Sequence, residues 1–268
     1  MKNFCPKPDD KLLTSELLDY IITEWEKINQ SQCKTAANDN KQIRSAYFID
    51  LYKNNDDLRK YLENYITKNI GKDYVILFDI IMCLDSTHTG LKWHIDYESI
   101  DWIKNRDVFS IWIPLNILSE ETGGGISLIK DENKLLNKQI KNEIVFKWEN
   151  YKKTNKSTTI TDFQSIRDNI IDKYKEELNN NVNSVNNFHA GEILYFNNSF
   201  LHKSNPVNSP KFERRAYIVR IARKNAKIDL DAVRRLYQET KLDFYKTLLD
   251  KQIKTIEEYC NFRDKLIN

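Results

Sequence analysis

The chain has 268 residues, with 42 basic and 39 acidic side chains and a formal net charge of +3. That balance lacks the clear basic excess of a nucleic-acid-binding face, and the longest apolar run, roughly 74–84, is broken by Asp79 and too short to span a bilayer. Apolar residues make up 40% and aromatics 12%, enough for a sizeable core, and β-rich sandwiches often reach this length as one domain.

The first eight residues hold no apolar signal-peptide core. The cysteines, Cys5, Cys33, Cys83 and Cys260, form neither a Cys-x-x-Cys pair nor a disulfide framework. A cytoplasmic protein with reduced thiols is expected.

From about Asp10 to Gln30, Leu12, Leu13, Leu17, Leu18, Ile21, Ile22, Trp25 and Ile28 recur at helical spacing, with Thr14 or Ser15 as caps. Residues 31–43 read as loop. A second helix is expected over Asp56 to Ile70, ended by Gly71. The texture then changes to strand formers: Tyr74 to Leu84, Val108 to Leu115, Ile126 to Ile129 after three glycines, Glu192 to Phe196, and Arg215 to Ile221. Short strands between turns predict a mainly β protein with a double-stranded β-helix, or jelly-roll, core and flanking helices. Between them, 131–187 is polar and glycine-free. One helix is predicted over Phe163 to Leu178, with the remainder an elaborated loop or lid. The tail, 229–267, is helical in pattern. The expected organisation is one domain over 1–268. Its β core spans about 74–222, preceded by N-terminal helices, interrupted by the lid at about 131–187 and followed by the tail.

Trp93-His94-Ile95-Asp96 is short and extended, so His94 and Asp96 point to the same side. A surface histidine beside an acid is the bland alternative. The context argues for more, because His202 follows an apolar strand after Gly191. Two imidazoles and one carboxylate, with open positions, are the ligand set of non-heme Fe(II) oxygenases. A zinc hydrolase can use the same set. The other histidines, His88 in a turn-like stretch and His189 before Ala190-Gly191, read as loop residues or second donors around the ligands.

After His202, a hairpin through 206–210 returns a strand that begins with Arg214 and Arg215. An arginine there can pair in bidentate fashion with a carboxylate. 2-Oxoglutarate has the matching shape, a chelating keto-acid end and a far carboxylate. A solvated sheet edge is the competing account of the two arginines.

With these pieces in order, the chain resembles the phytanoyl-CoA dioxygenase (PhyH)-like family of Fe(II)/2-oxoglutarate oxygenases over roughly 75–222. The resemblance rests on Trp93 to Asp96, Ser110 to Asn116, Glu121 to Ile129, Gly191 to Phe196 leading to His202, and Arg214 to Ala216. It implies that His94, Asp96 and His202 bind iron, that Arg214 anchors 2-oxoglutarate and that Ser204 assists. The family's Pro-Gly-Ser-His after the glycine turn is replaced by Ile129 to Glu132, and the His-to-Arg spacing is longer by one. Arg215 is therefore the alternative anchor. Arg214 shares strand parity with Ala216, Ile218 and Arg220, whereas Arg215 shares the more apolar face of Tyr217, Val219 and Ile221.

The expected activity is hydroxylation of an unactivated C–H in a small metabolite or natural-product intermediate. Fe(II) serves as cofactor and 2-oxoglutarate and O2 as co-substrates, with succinate and CO2 released. Asp96 speaks against halogenation, since the resembling halogenases lack this carboxylate. Desaturation, epimerisation or cyclisation would use the same residues. The alternatives are a non-catalytic jelly-roll binding protein and a cupin-type metal hydrolase or isomerase without 2-oxoglutarate. Residues 131–160 carry seven lysines against four acids. An anionic substrate and a merely solvated lid both account for that. Trp102, Trp148 and Tyr151 are candidates to line the substrate pocket. No nucleic acid or membrane partner is expected, and the chain is read as a monomer or homodimer.

Overall fold

The computed structural model describes residues 9–31, 43–47, 49–96, 100–104, 107–130, 133–155 and 158–267. Its centre is built from strands of nearly continuous apolar sequence: β3 (Tyr74–Asp85), β4 (Val108–Pro114), β7 (Glu192–Asn197) and β9 (Glu213–Arg223). With β1 (Asp9–Leu12) and β2 (Arg44–Tyr47) at the edges, they form an antiparallel sheet in the order β1-β7-β4-β9-β3-β2. A second antiparallel sheet runs β6-β5-β8, from β5 (Ile126–Ile129), β6 (Val182–Val185) and β8 (His202–Ser204). His94 joins its edge by a bridge to His202. These antiparallel sheets with flanking helices make the jelly-roll core that the strand pattern predicts.

Alternation sorts the large sheet into two faces. Met82, Leu84, Trp112, Leu194, Phe196, Ala216 and Ile218 share one cluster with Ile126 and Leu128 of the small sheet. Ile81, Cys83, Ile111, Ile113, Ile193, Tyr217, Val219 and Ile221 share another, with Ile21 and Trp25 of α1 (Ser15–Ser31) and Leu58 and Leu62 of α2 (Asp56–Asn69). Both faces are covered, so these strands read as apolar runs rather than as alternating ones. The register sets Ser110 opposite Arg220 and Trp112 opposite Ile218, and places Leu84 opposite Arg214.

The N-terminal helix starts later than the periodicity predicts. Leu12 and its three predecessors pair with β7 instead, and Leu13 donates its N–H to Gly191 O. Thr14 is the residue that caps α1, through Leu17 N–H at 3.4 Å. α2 has the expected bounds within a residue, with Asn55 accepting from Leu58 N–H. The loop expected over 31–43 falls almost wholly on 32–42, outside the described residues, as do Cys5 and Cys33. Cys83 and Cys260 form no disulfide among the described residues.

The polar insertion is mostly helical: α3 (Lys134–Thr154), α4 (Ile160–Lys173) and α5 (Lys175–Asn180). The predicted helix over Phe163 to Leu178 begins earlier, behind a Thr159/Asp162 capping box, and breaks at Tyr174. Ile140, Ile144, Trp148, Phe163 and Ile170 pack with Trp93, Ile95 and Leu201. α6 (Leu230–Thr240), α7 (Asp243–Asp250) and α8 (Ile256–Ile267) turn Val233, Leu236, Tyr245, Leu248 and Ile256 into the cluster shared by the two sheets. Among the described residues no helix is long and apolar enough to cross a membrane.

Candidate metal centre

His94, Asp96 and His202 converge from two chain segments, and one ligand atom from each lies within 4.8 Å of the others. Parity places the first two: Trp93 and Ile95 turn into the cluster beneath the insertion, so His94 and Asp96 face the interior. Reciprocal backbone bonds then fix the third. His94 N–H donates to His202 O at 2.9 Å and His202 N–H to His94 O at 3.0 Å. Asp96 N–H donates to Asn198 O at 2.9 Å.

The imidazoles are oriented by main-chain carbonyls. His94 Nδ1 lies 2.7 Å from Lys92 O, and His202 Nδ1 lies 2.9 Å from Phe200 O. A carbonyl only accepts, so each Nδ1 carries a proton and each Nε2 is the nitrogen turned toward the ligand position. His94 Nε2 is 3.6 Å from Asp96 Oδ1, and His202 Nε2 is 3.7 Å from Asp96 Oδ2. Two donors at right angles, each ~2.1 Å from one metal, stand ~3 Å apart. Both separations exceed hydrogen-bond length and leave room for an ion among the three side chains.

Electrostatics leaves the donors in ligating form. Burial and the neighbouring His94 push the His202 imidazole down to about 3, so it is neutral. Burial raises the Asp96 carboxyl, but the Arg220 guanidinium and the two imidazoles outweigh it and hold the group well below the usual carboxylate range. The donor set is two imidazoles and one carboxylate on one side of a cavity. It fits a divalent transition metal with open positions.

The same cavity is lined by Met82, Trp112, Phe196, Ser204, Arg214 and Ile218. Arg214 is 3% exposed, and its Nε and Nη2 are buried with no hydrogen-bond partner among the described residues. Burial lowers it to about 10, so it remains a cation at neutral pH. Its guanidinium lies 6.0 Å from the Trp112 ring centroid. Gly124, with φ +78°, lets this happen: a Cβ there would stand 2.9 Å from Arg214 Cβ. Arg215 points to the opposite face, pairing with Glu213 at 2.9 Å and reaching Glu26 at 3.6 Å.

The three aromatic candidates lie elsewhere. Trp102 is fully buried and packs edge-on against Phe244 and Tyr245 of α7. Trp148 is buried on the inner face of α3, with Tyr151 stacked on it at 6.0 Å. None of them borders the cavity. His88 bonds Asp85 at 2.7 Å in its own turn, and His189 is exposed. Sequence reasoning gave no role to Arg220, Ser110 or Asn198, whose side chains connect to Asp96. Only strand parity with Arg214 hinted at Arg220.

No family model matches the chain, and no curated protein matches it. Solved structures do share its fold. SnoK, described as a non-heme alpha-ketoglutarate-dependent carbocyclase from nogalamycin biosynthesis, superposes with a TM-score of 0.57 at 12% identity, over 82% of this chain and 80% of that one. The epimerase SnoN, in complex with Fe3+, alpha-ketoglutarate and nogalamycin RO, gives 0.54 at 10% identity, over 87% and 81%. EctD from S. alaskensis, with 2-oxoglutarate and 5-hydroxyectoine, gives 0.52 at 11% identity, over 84% and 74%. At these identities the likeness establishes the jelly-roll fold.

Proposed function

We propose that the chain is an Fe(II)/2-oxoglutarate-dependent oxygenase, similar to the phytanoyl-CoA dioxygenase family, that hydroxylates an unactivated C–H of a small metabolite. The observation that carries this reading is Arg214: a buried cation with two unpartnered nitrogens in the cavity that holds His94, Asp96 and His202. A bare metal hydrolase or a binding scaffold has no use for it. A dicarboxylate that chelates the metal at one end needs such a cation at the other. Fold neighbours solved with Fe3+ and alpha-ketoglutarate, or with 2-oxoglutarate, support the same reading.

Bound iron, with 2-oxoglutarate and O2, supplies the oxidising power: one oxygen atom enters succinate, the other the C–H bond, and CO2 leaves. The chain's residues do the rest. His94, Asp96 and His202 hold the metal on one side. Arg214 takes the far carboxylate, and Ser204, two residues past His202, lies beside the same cavity to assist. Met82, Phe196, Trp112 and Ile218 give apolar walls that exclude water from the reacting centre. The reading includes one catalytic unit across the chain, without nucleic-acid or membrane partners, and a cytoplasmic setting that suits ferrous iron and free thiols.

Protein given Fe(II), 2-oxoglutarate and air should release succinate and CO2 in equal amounts, faster with a true substrate present. His202→Ala should abolish the release. Succinate absent from protein shown to hold iron, or release unaltered in Asp96→Ala, would overturn the reading.

A further inference from the structure

Arg220 lies six residues beyond Arg214 on the same face of β9 and is 4% exposed. Its Nη1 donates to Asp96 Oδ2 at 2.5 Å and also to Ser110 Oγ, its partner across the β4–β9 pair. The Ser110 hydroxyl donates in turn to Asn198 Oδ1 at 2.6 Å. Asn198 in turn accepts the Asp96 N–H through its backbone oxygen and donates its N–H to Val108 O, both at 2.9 Å. The chain of bonds closes into a ring through Asp96, Arg220, Ser110 and Asn198, and every member is buried. The ring holds Asp96 at its backbone and at one carboxylate oxygen together.

Resting on the metal-centre reading above, we infer that Arg220 is a positioning residue for Asp96. It occupies one carboxylate oxygen, so that Asp96 offers a single oxygen to the metal. The coordination count makes this matter. An octahedral ion with a facial triad keeps three open positions, two for a chelating keto acid and one for O2. A carboxylate that bound through both oxygens would fill one of them. A carboxylate free to rotate has both oxygens available, whereas one clamped by a guanidinium that is itself fixed by Ser110 has only one. Arg220 Nε, buried and unpartnered, is not spent on any other group among the described residues.

The test uses full-length protein under anaerobic conditions, with Fe(II) or Co(II) and 2-oxoglutarate as the probes. Arg220→Met should still bind metal, but with a Co(II) visible spectrum shifted toward higher coordination. Its 2-oxoglutarate affinity should fall at least tenfold, and its Fe(II) charge-transfer band should weaken and shift. Ser110→Ala, which keeps the cation but frees it, should show the same changes in smaller measure. Arg220→Lys, which retains a donor for that oxygen, should recover most of the wild-type spectrum. Thermal unfolding of the metal-free proteins identifies a variant that fails to fold. If Arg220→Met fails, Ser110→Ala and Arg220→Lys carry the test. Wild-type spectra and 2-oxoglutarate affinity in both Arg220→Met and Ser110→Ala would overturn the inference. So would an Arg220→Lys protein that loses as much as Arg220→Met. A wild-type protein without the band would instead overturn the oxygenase reading itself.

Discussion

Arg214 and Arg215 are adjacent in sequence and opposite in surroundings, one aimed into the cavity and the other paired with Glu213 and Glu26. Removing a cation that pairs with a buried carboxylate costs about 2–5 kcal/mol, at least ~30-fold in affinity. Arg214→Ala should therefore weaken 2-oxoglutarate binding to the Mn(II)-loaded protein by that factor, with metal affinity unchanged, whereas Arg215→Ala should stay within about twofold. Calorimetric titration decides between them, and the reverse pattern would shift the anchor by one residue. A second buried charge lies behind the sheet. Asp79 accepts from the N–H groups of Asp50 and Leu51 at 2.7 and 2.8 Å and from the Tyr217 hydroxyl at 2.9 Å. Burial nevertheless raises its carboxyl from the ordinary 3.8 to about 6. A raised folded-state value means that its stabilising contribution is complete below the unfolded value and disappears as pH rises through about 6. From about pH 4 to pH 7.5, the wild type should lose about 2 kcal/mol relative to Asp79→Asn. Parallel denaturant series would show it, and a pH-independent difference would contradict it. The triad residues were legible in the sequence because His-x-Asp parity is local. Arg220 was not, because Ser110 meets it only through the β4–β9 register and Asp96 only through the segment held at Asn198.

The elements around the site differ in how openly the sequence announces them. β3, β4, β7 and β9 are long runs of Val, Ile, Leu and aromatic residues. α3 was missed because its buried stripe is narrow: Ile140, Ile144 and Trp148, with the polar Asn137 at its head, while exposed Leu135 and Phe146 blur the period. The start of α1 was misplaced because Leu12 and Leu13 imitate helical spacing while meeting β7 and Gly191. Asn137 ties the insertion to the centre. Its Oδ1 accepts the N–H of Leu201, one residue before His202, at 2.7 Å. Asn137→Ala leaves that buried donor unsatisfied, at a cost of about 1–3 kcal/mol. Metal affinity should fall along with thermal stability. A drop in stability alone would show that the tie does not reach the ligand. Gly124 acts through the turn before β5. Gly124→Ala adds ~1–2 kcal/mol of left-handed strain and drives a methyl against Arg214, so 2-oxoglutarate affinity should fall with little change in metal binding. Unaltered 2-oxoglutarate affinity would mean that Arg214 has room to move.

Across the molecule, helices cover the outer faces of both sheets, and the tail closes on the cluster that the sheets share, through Phe244 against Trp102 and Phe78. The jelly-roll was legible because strand runs and glycine turns recur in order. The pairing of edge strands β1, β2 and β6 was not, since four-residue strands carry too little pattern to register. A site assembled from both sheets stabilises the folded state when filled. Metal and 2-oxoglutarate, each at about a hundred times its dissociation constant, should each add about 2.7 kcal/mol and together raise Tm by several degrees. Succinate in place of 2-oxoglutarate should add less, because it lacks the keto acid. The most direct test of the account is an anaerobic titration of the metal-free protein with Fe(II) and then 2-oxoglutarate, followed by visible absorption. The expected result is a charge-transfer band that needs both additions and is lost in His202→Ala. Bound iron without a band after 2-oxoglutarate would contradict it.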